Sequence, residues 1–315
     1  MCFLNFSFAK LNKGRKMKTI NNIELFNEKV DTSIALGTFD GVHLAHQAVI
    51  NEAVNSEYTP AVFTFNQSPS GIINGEKIGA IATKETKAKL LENLGIKLLF
   101  CPDFLSVKDL SPEDFVKLLK EKLGAKKITC GFNFRFGLGG KGNPQILKQL
   151  CKKHKIELKV IPPILVGDEP VSSTRIRKYI ENGELEKARE LLGHNFSFEF
   201  EVTSGNHLGS TWDIPTINQV FPNNFIVPKK GVYASKTIID GKEYKSITNI
   251  GIKPTIGSDN VSAETNIFDF SGDLYGAEIT VVIYYFIRPE RKFEDLEELK
   301  RAILNDIDYV KNMIY

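Results

Sequence analysis

The chain has 315 residues, which at roughly 150 residues per domain corresponds to about two domains. Hydrophobic residues make up 42% and charged residues 25%, the composition of an ordinary globular protein, which excludes a disordered, collagen-like or coiled-coil chain. The 41 basic and 38 acidic residues leave a net charge of +3, too small to indicate a duplex-binding surface but compatible with phosphorylated small molecules as ligands.

The cysteines and the hydropathy pattern indicate a cytoplasmic protein. The four cysteines form no C-x-x-C pair and have no companion histidine at zinc-finger spacing, so neither a disulfide framework nor a structural zinc is expected. No apolar run approaches the ~20 residues that span a bilayer. The first 16 residues lack the apolar core and cleavage site of a signal peptide, so either Met17 is the functional start or these residues form a loose extension.

Residues 30 to about 165 alternate short apolar runs with amphipathic segments. This alternation predicts a parallel sheet with helices on both faces, whose ligand site lies at the carboxyl ends of the strands. In chain order, the predicted strands are Ser33–Phe39, Pro60–Phe65, Lys97–Phe100, Lys127–Cys130 and Glu157–Ile161. The predicted helices between and after them are Leu44–Val54, Lys84–Leu94, Pro112–Leu123, Pro144–His154, Ser173–Glu181 and Glu184–Leu192.

From Phe196 onward the pattern changes to β-rich segments separated by Gly, Pro and Asn. The predicted strands are Phe198–Thr203, Gly231–Ile239, Lys245–Asn249, Glu264–Phe270 and Glu278–Tyr285. They favour a closed antiparallel barrel or sandwich, with a closing helix from Phe293 to about Met313. We therefore predict a Rossmann-like α/β domain over residues 17–192 and an antiparallel β-barrel domain over residues 193–315.

The run GTFDGVHLAH, from Gly37 to His46, lies where the first predicted strand passes into the first helix. Two histidines three residues apart at a helix N-terminus point the same way, beside unpaired backbone N–H groups and the positive end of the helix dipole. A single histidine there is more commonly a surface polar residue. The pair, placed after a strand and two glycines, predicts a phosphate-binding site instead.

This run resembles the signature of the HxGH nucleotidyltransferase superfamily, and the full string resembles the adenylyltransferase half of bacterial bifunctional riboflavin kinase/FAD synthetases. Ala45 stands where the signature usually has glycine. The resemblance implies adenylyl transfer from ATP to FMN, which yields FAD and pyrophosphate, with His43 and His46 as catalytic residues. It also implies ATP binding by Gly37, Phe39 and Asp40.

A glycine-rich segment, Gly131–Asn143, follows a predicted strand and carries three alternating phenylalanines. Its backbone N–H groups can approach phosphates and its rings can pack on a flat ligand ring, although a plain flexible loop has the same composition. The segment resembles the family's GxDFRFG sequence, with Asn133 in place of aspartate. This resemblance implies flavin binding by Asn133, Phe134, Arg135 and Phe136. Phe65, at the end of the second predicted strand, is predicted to line the flavin or ATP site, with a structural loop as an equal alternative.

The segment Val171–Arg177 opens a predicted helix with three hydroxyl and two guanidinium groups. A simple N-cap needs only one hydroxyl, so the surplus suits a polyphosphate. The segment resembles the family's SSTxIR motif. This resemblance implies that Ser173, Thr174 and Arg177 hold the β- and γ-phosphates of ATP, with Arg177 also among the catalytic residues.

Residues 205–218, in the predicted barrel, resemble the flavokinase G-x-x-x-G…P-T-x-N segment. Further along, Glu264 falls on the family's catalytic carboxylate, which would accept the proton of the riboflavin 5′-hydroxyl as the γ-phosphate moves. A lone strand glutamate is otherwise commonly a solvated side chain. The resemblance implies ATP binding by Gly205, Gly209, Thr216 and Asn218, of which Thr216 and Asn218 also hold Mg²⁺.

Together these motifs predict a cytoplasmic enzyme that phosphorylates riboflavin in its barrel and adenylylates FMN in its N-terminal domain. The expected ligands are ATP, FMN and riboflavin with Mg²⁺, without nucleic acid or membrane partners, and a weak homo-oligomer is left open. Asp213 stands where the family has a small glycine near phosphate, and this motivates a monofunctional FMN adenylyltransferase with an inactive or regulatory barrel as an alternative. A non-catalytic flavin-binding regulator and a pantetheine- or nicotinate-phosphate adenylyltransferase are further alternatives.

Overall fold

The computed structural model describes residues 16–66, 71, 75, 78–204, 214–252 and 261–313. They form two compact units. The α/β unit comprises the described residues between 16 and 80 and between 87 and 172, and the barrel unit comprises residues 81–86 and the described residues between 173 and 313. The predicted domain boundary between residues 192 and 193 stays a prediction. Within the described ranges, no helix is long and apolar enough to cross a membrane.

The α/β unit is built on a six-stranded parallel sheet with the strand order β1-β4-β3-β2-β5-β6, which confirms the predicted architecture. β2 is buried at every residue, as expected for a strand covered on both faces. β1 was not predicted because it has only three residues and one buried apolar side chain. The strands are β1 (Lys18–Ile20), β2 (Thr32–Leu36), β3 (Thr59–Phe63), β4 (Leu98–Phe100), β5 (Ala125–Gly131) and β6 (Glu157–Ile161).

Among the described residues of the first half of the chain, the α-helices are α1 (Leu44–Val54), α2 (Lys84–Asn93), α3 (Pro112–Lys117) and α4 (Pro144–His154). α1 and α4 have the predicted bounds. α3 is shorter than predicted because the chain continues as one π-helical turn, Leu118–Lys122. This wider turn leaves both Leu119 and Leu123 fully buried in the core. A two-stranded hairpin of β7 (Leu165–Val166) and β8 (Glu169–Pro170) follows β6.

The barrel unit contains a six-stranded antiparallel sheet with the order β10-β13-β12-β11-β14-β9. Its strands are β9 (Ser197–Glu201), β10 (Thr216–Val220), β11 (Gly231–Ile239), β12 (Lys242–Ile252), β13 (Val261–Ile267) and β14 (Glu278–Pro289). After β9, the backbone N–H of Thr203 donates to the carbonyl of Asn218 in β10 at 2.8 Å. This contact joins the two edge strands and nearly closes the sheet, so the predicted antiparallel barrel is confirmed. β10 was not predicted as a strand.

Three helices belong to the barrel unit: α5 (Ser173–Glu181), α6 (Leu185–Leu192) and α7 (Leu296–Asn312). α7 is the predicted closing helix, and it begins at residue 296 because the Asp295 side chain caps it by accepting from the Glu298 N–H at 2.7 Å. Its buried residues Ile307 and Val310 pack with Val232 and Ile247 of the sheet. One face of the barrel is therefore covered by this helix.

Candidate functional sites

The turn between β2 and α1 carries the predicted phosphate-binding run. Phe39 and Val42 have φ values of 50° and 43°, and Gly41 between them has a φ of 75°. Non-glycine residues in this left-handed region cost on the order of 1–3 kcal/mol each, and such strain is concentrated at functional sites. The Phe39 ring is buried and packs against Gly37, so any ATP contact of Phe39 falls to its backbone. The roles predicted for Gly37, Phe39 and Asp40 in ATP binding stay predictions.

The two histidines meet at the N-terminus of α1. The rings of His43 and His46 are stacked, with centroids 3.5 Å apart and planes 14° apart. His43 is the N-cap, and its Nδ1 accepts a hydrogen bond from the backbone N–H of His46 at 3.3 Å. An accepting Nδ1 carries no hydrogen, so the His43 proton lies on Nε2. The structure thus brings together the pair that the spacing predicted.

His46 is neutral in this environment. Burial, followed by the His43 ring and the Lys87 ammonium, holds the pKa of His46 well below its usual range. The His46 Nδ1 is enclosed and has no hydrogen-bond partner in the part of the chain that the structure describes. The ring also contacts the Phe39 ring edge-to-face at 5.3 Å. His46 therefore faces the site as a dipolar ring rather than as a cation.

Lys87 is a residue of this site that the sequence analysis missed. Its Nζ donates to the carbonyl oxygens of Phe65 at 2.8 Å and Thr38 at 3.4 Å, at the carboxyl ends of β3 and β2. Burial lowers its pKa, and the neighbouring Cys101 and Asp40 oppose that shift. The available signal was position: Lys87 lies three and four residues before the buried Leu90 and Leu91, on the inward face of α2.

The glycine-rich segment lies at the same edge of the sheet, after β5. Phe136 is buried in the core, where its ring lies 5.4 Å from Phe115, and Phe134 stacks on it at 5.6 Å. Asn133 and Arg135 are exposed. The segment therefore has an aromatic anchor beneath two solvent-facing polar side chains. Flavin binding by these four residues and by Phe65, which packs against Phe63 and Phe104, stays a prediction.

The SSTxIR segment forms the start of α5, as predicted, in the barrel unit. Thr174 is exposed, while Ser173 and Arg177 are half-buried. The helix is anchored by the fully buried Ile176 and Ile180. The roles of the three polar residues as ATP-phosphate ligands stay predictions.

The predicted kinase residues lie in one row across the barrel sheet. Asn218 of β10 pairs with Glu264 of β13, and Glu264 pairs with Asn249 of β12. Directly paired residues share a face, and Thr216 shares it because it lies two residues before Asn218. The structure thus brings Thr216, Asn218 and Glu264 together. Asn249 was missed by the sequence analysis because its place depends on strand register.

A cavity of about 360 Å³ opens on this face, beneath α7. Thr216, Asn249 and Glu264 line it together with Arg288, which continues the same row on β14. The Arg288 guanidinium donates three hydrogen bonds to the Asp306 carboxylate of α7: Nε to Oδ1 at 3.1 Å, Nε to Oδ2 at 2.9 Å and Nη2 to Oδ2 at 2.6 Å. Apolar side chains such as Val232 and Ile247 line the cavity together with these polar ones, and such a combination is typical of a small-molecule site.

Some predicted residues of the barrel lie outside the described residues. They are Gly205, Gly209 and Asp213. The predicted kinase residues within the described ranges are Thr216, Asn218 and Glu264, of which Thr216 and Glu264 line the cavity and Asn218 pairs with Glu264.

Family comparisons match both halves of the chain. A riboflavin kinase family model matches residues 192–314, and an FAD synthetase family model matches residues 26–175. The bifunctional riboflavin kinase/FMN adenylyltransferase of Bacillus subtilis (strain 168) is 35% identical over 91% of this chain and 95% of its own length. The protein of that name from Listeria monocytogenes is 32% identical over 88% of this chain and 90% of its own length.

A solved structure has the same overall fold. The crystal structure of a protein described as a macrolide-efflux protein from Streptococcus pneumoniae aligns with a TM-score of 0.83 and 28% identity, over 95% of this chain and 100% of that one. The matches in both halves favour the bifunctional hypothesis over a monofunctional adenylyltransferase, a regulator or an adenylyltransferase for another phosphate. On the matches to both domains and on the identity and coverage of its relatives, the chain belongs to the bifunctional riboflavin kinase/FMN adenylyltransferase family.

Proposed function

We propose that this chain makes FAD from riboflavin in two ATP-dependent steps, phosphorylation in the barrel unit and adenylylation of the resulting FMN at the α/β site. The observation that carries the proposal is that each unit holds its own set of reactive residues. The α/β unit has the stacked His43–His46 pair at a helix N-terminus. The barrel unit has Asn218 and Glu264 paired beside a cavity.

In the adenylylation step, the FMN phosphate attacks the α-phosphorus of ATP in line and pyrophosphate leaves. Such a transfer needs positioning and charge stabilisation rather than a protein nucleophile. The Nε2–H of His43 and the ring of His46 supply polar groups at the N-terminus of α1, whose backbone N–H groups add to the positive potential. The resemblance to the SSTxIR motif implies that Ser173, Thr174 and Arg177 hold the β- and γ-phosphates of ATP.

In the kinase step, the Glu264 carboxylate accepts the proton of the riboflavin 5′-hydroxyl as that oxygen attacks the γ-phosphorus of ATP. The bond from the γ-phosphorus to the bridging oxygen breaks, so FMN forms and ADP leaves. The hydroxyl of Thr216 and the amide oxygen of Asn218 are hard oxygen donors of the kind that Mg²⁺ prefers. When bound, Mg²⁺ neutralises charge on the ATP phosphates. Asn266 donates to the Pro215 carbonyl at 2.7 Å and so fixes the start of the strand that presents Thr216.

The proposal extends to the setting of the enzyme. We assign it a cytoplasmic location, Mg²⁺ as its metal, and ATP, FMN and riboflavin as its ligands, without nucleic acid or membrane partners. The functional division at residues 192 and 193 is supported by the riboflavin kinase match, which begins at residue 192.

A chromatographic assay of the purified protein tests this function. MgATP is supplied in parallel with riboflavin alone and with FMN alone. We expect FAD from both, with FMN as an intermediate from riboflavin. FAD formation from FMN but not from riboflavin would support the monofunctional adenylyltransferase instead. Formation of neither pyrophosphate nor FAD from either substrate would support the non-catalytic regulator.

A further inference from the structure

A buried lysine lies at the adenylyltransferase site without a role in the mechanism above. Lys87 is only 7% exposed, and a lysine is rarely buried unless its charge is compensated. Its ammonium group is anchored on the carbonyl oxygens of Phe65 and Thr38. The Thr38 carbonyl also accepts from the Thr64 hydroxyl at 2.8 Å, which fixes the position of that oxygen. The Lys87 ammonium is therefore held at the carboxyl ends of β2 and β3, beside the turn that leads from β2 to the histidine pair.

The histidine pair next to it is arranged as two uncharged rings. The His43 Nδ1 accepts the N-cap hydrogen bond, so this atom cannot also carry a proton, and the His43 ring stays uncharged. A proton on the His46 Nδ1 would be an enclosed donor, because that atom has no partner among the described residues. Two cationic rings stacked at 3.5 Å would also repel each other.

We propose that Lys87 is a positioning residue of the adenylyltransferase site: its buried ammonium carries the fixed positive charge beside the stacked pair, so that His46 meets the substrate phosphates as a neutral N–H donor. This inference rests on the adenylylation proposed above. A protonated histidine would supply both a positive charge and a directed hydrogen bond. In this site Lys87 supplies the charge and His46 supplies the hydrogen bond.

The charged and titratable groups around the pair set the direction of the effect. His43 and Lys87 disfavour a proton on His46, while Asp40 and Cys101 lie within electrostatic range of Lys87. Removing the ammonium takes away a positive neighbour and leaves Asp40 without it. The pKa of His46 therefore rises in a variant that lacks the charge, and His46 takes up a proton at a higher pH than in the wild type.

The test is an NMR titration of the His46 imidazole nitrogens in the full-length protein without ligands, with the signal identified by its loss in His46→Gln. Four proteins are compared: the wild type, Lys87→Met, Lys87→Arg and Lys84→Met. Lys84 is an exposed lysine three residues earlier on α2 and serves as the matched control. We expect the His46 midpoint to move to higher pH in Lys87→Met and to stay near the wild-type value in Lys87→Arg and Lys84→Met.

The pH profile of FMN adenylylation gives the second readout. In Lys87→Met we expect the acid limb of kcat/KM to move to higher pH, whereas a merely structural loss would lower the rate equally at every pH. A wild-type pattern of amide NMR signals from the α/β unit, which holds Lys87, shows that the variant is folded. A His46 midpoint that does not move in folded Lys87→Met overturns the proposal. If the midpoint moves but no variant or wild type forms FAD from FMN, it is the proposed function that fails.

Discussion

The two units build their sites from different parts of a sheet. In the α/β unit the site lies beyond the strand ends, and ten consecutive residues, Gly37–His46, supply the turn, the helix N-terminus and both histidines. In the barrel unit the site lies on the face of the sheet. There Asn218, Glu264, Asn249 and Arg288 come from four strands and meet only through strand register.

This difference indicates how each site depends on the rest of its unit. The α/β site uses backbone N–H groups and strained dihedral angles, so it is determined by local chain geometry and by the helix that follows. The barrel site uses side chains whose positions depend on pairing along four strands, because a slip of one residue would turn the row to the opposite face. The two sites should therefore fail independently when a single residue is changed.

The largest effect is expected in the barrel. Glu264→Gln keeps the shape of the side chain but removes the base, and positioned general bases contribute about 10²–10⁴-fold. We expect riboflavin phosphorylation to fall by that range while FAD formation from FMN is unchanged. Both rates are measured by chromatography of the flavins. Equal loss of both activities would show that the sites are not independent.

The corresponding change in the α/β unit is His46→Ala. Loss of one transition-state hydrogen-bond donor typically costs at least ~10²-fold. We expect FMN adenylylation to fall by that amount, with FMN still formed from riboflavin at the wild-type rate. Pyrophosphate release with FMN and MgATP measures the loss. Unchanged release would remove His46 from the catalytic site.

A smaller effect is expected for Asp306→Ala, which removes the carboxylate from Arg288. The two side chains are only 13% and 24% exposed, and hydrogen bonds to charged groups contribute about 1.5–3 kcal/mol. We expect lower unfolding free energy by about that amount and a higher KM for riboflavin, because Arg288 lines the cavity. Denaturant unfolding and kinase kinetics measure the two effects.

Asp308→Ala is the matched control, since this aspartate is exposed two residues later on α7. It should leave both quantities near the wild-type values. Equal effects of the two substitutions would contradict the role given to the Arg288–Asp306 pair.

A substitution at Gly142 is expected to affect the α/β unit alone. An added Cβ at this position would lie 2.6 Å from the ring of Phe136. Overpacking of this kind typically costs about 1–3 kcal/mol. We expect Gly142→Ala to lower the thermal stability of the α/β unit and to weaken FMN adenylylation, without altering the kinase. At Gly131 the nearest atom to an added Cβ is the Asn133 Oδ1 at 3.4 Å, so Gly131→Ala should be milder. The reverse order of stabilities would contradict this packing.

The same contrast explains what the sequence could predict. The α1 boundaries and the meeting of His43 with His46 follow from local periodicity and spacing, and both are present in the structure. Lys87 escaped prediction because an isolated lysine in an amphipathic helix is normally solvated. Asn249 and Arg288 escaped prediction because only strand register brings them to Glu264.

The sequence pattern also did not predict the buried hydroxyl groups inside the barrel. Buried hydroxyl groups of Ser235, Ser246, Thr248 and Thr265 are linked by hydrogen bonds of 2.8–2.9 Å across three strands. A pattern of apolar and polar residues predicts small hydroxyl residues on the outside of a strand. Their pairing inside depends on neighbours that are distant in the chain.

The central claim, that one chain carries two separate sites, is tested most directly by mixing single-site variants. His46→Ala and Glu264→Gln are each incubated with riboflavin and MgATP, alone and together, and the flavins are separated by chromatography. We predict that His46→Ala alone accumulates FMN, that Glu264→Gln alone leaves riboflavin unchanged, and that the mixture forms FAD. FMN formation by Glu264→Gln alone would contradict the account. A mixture of the two variants that forms no FAD, although both variants are folded, would contradict it as well.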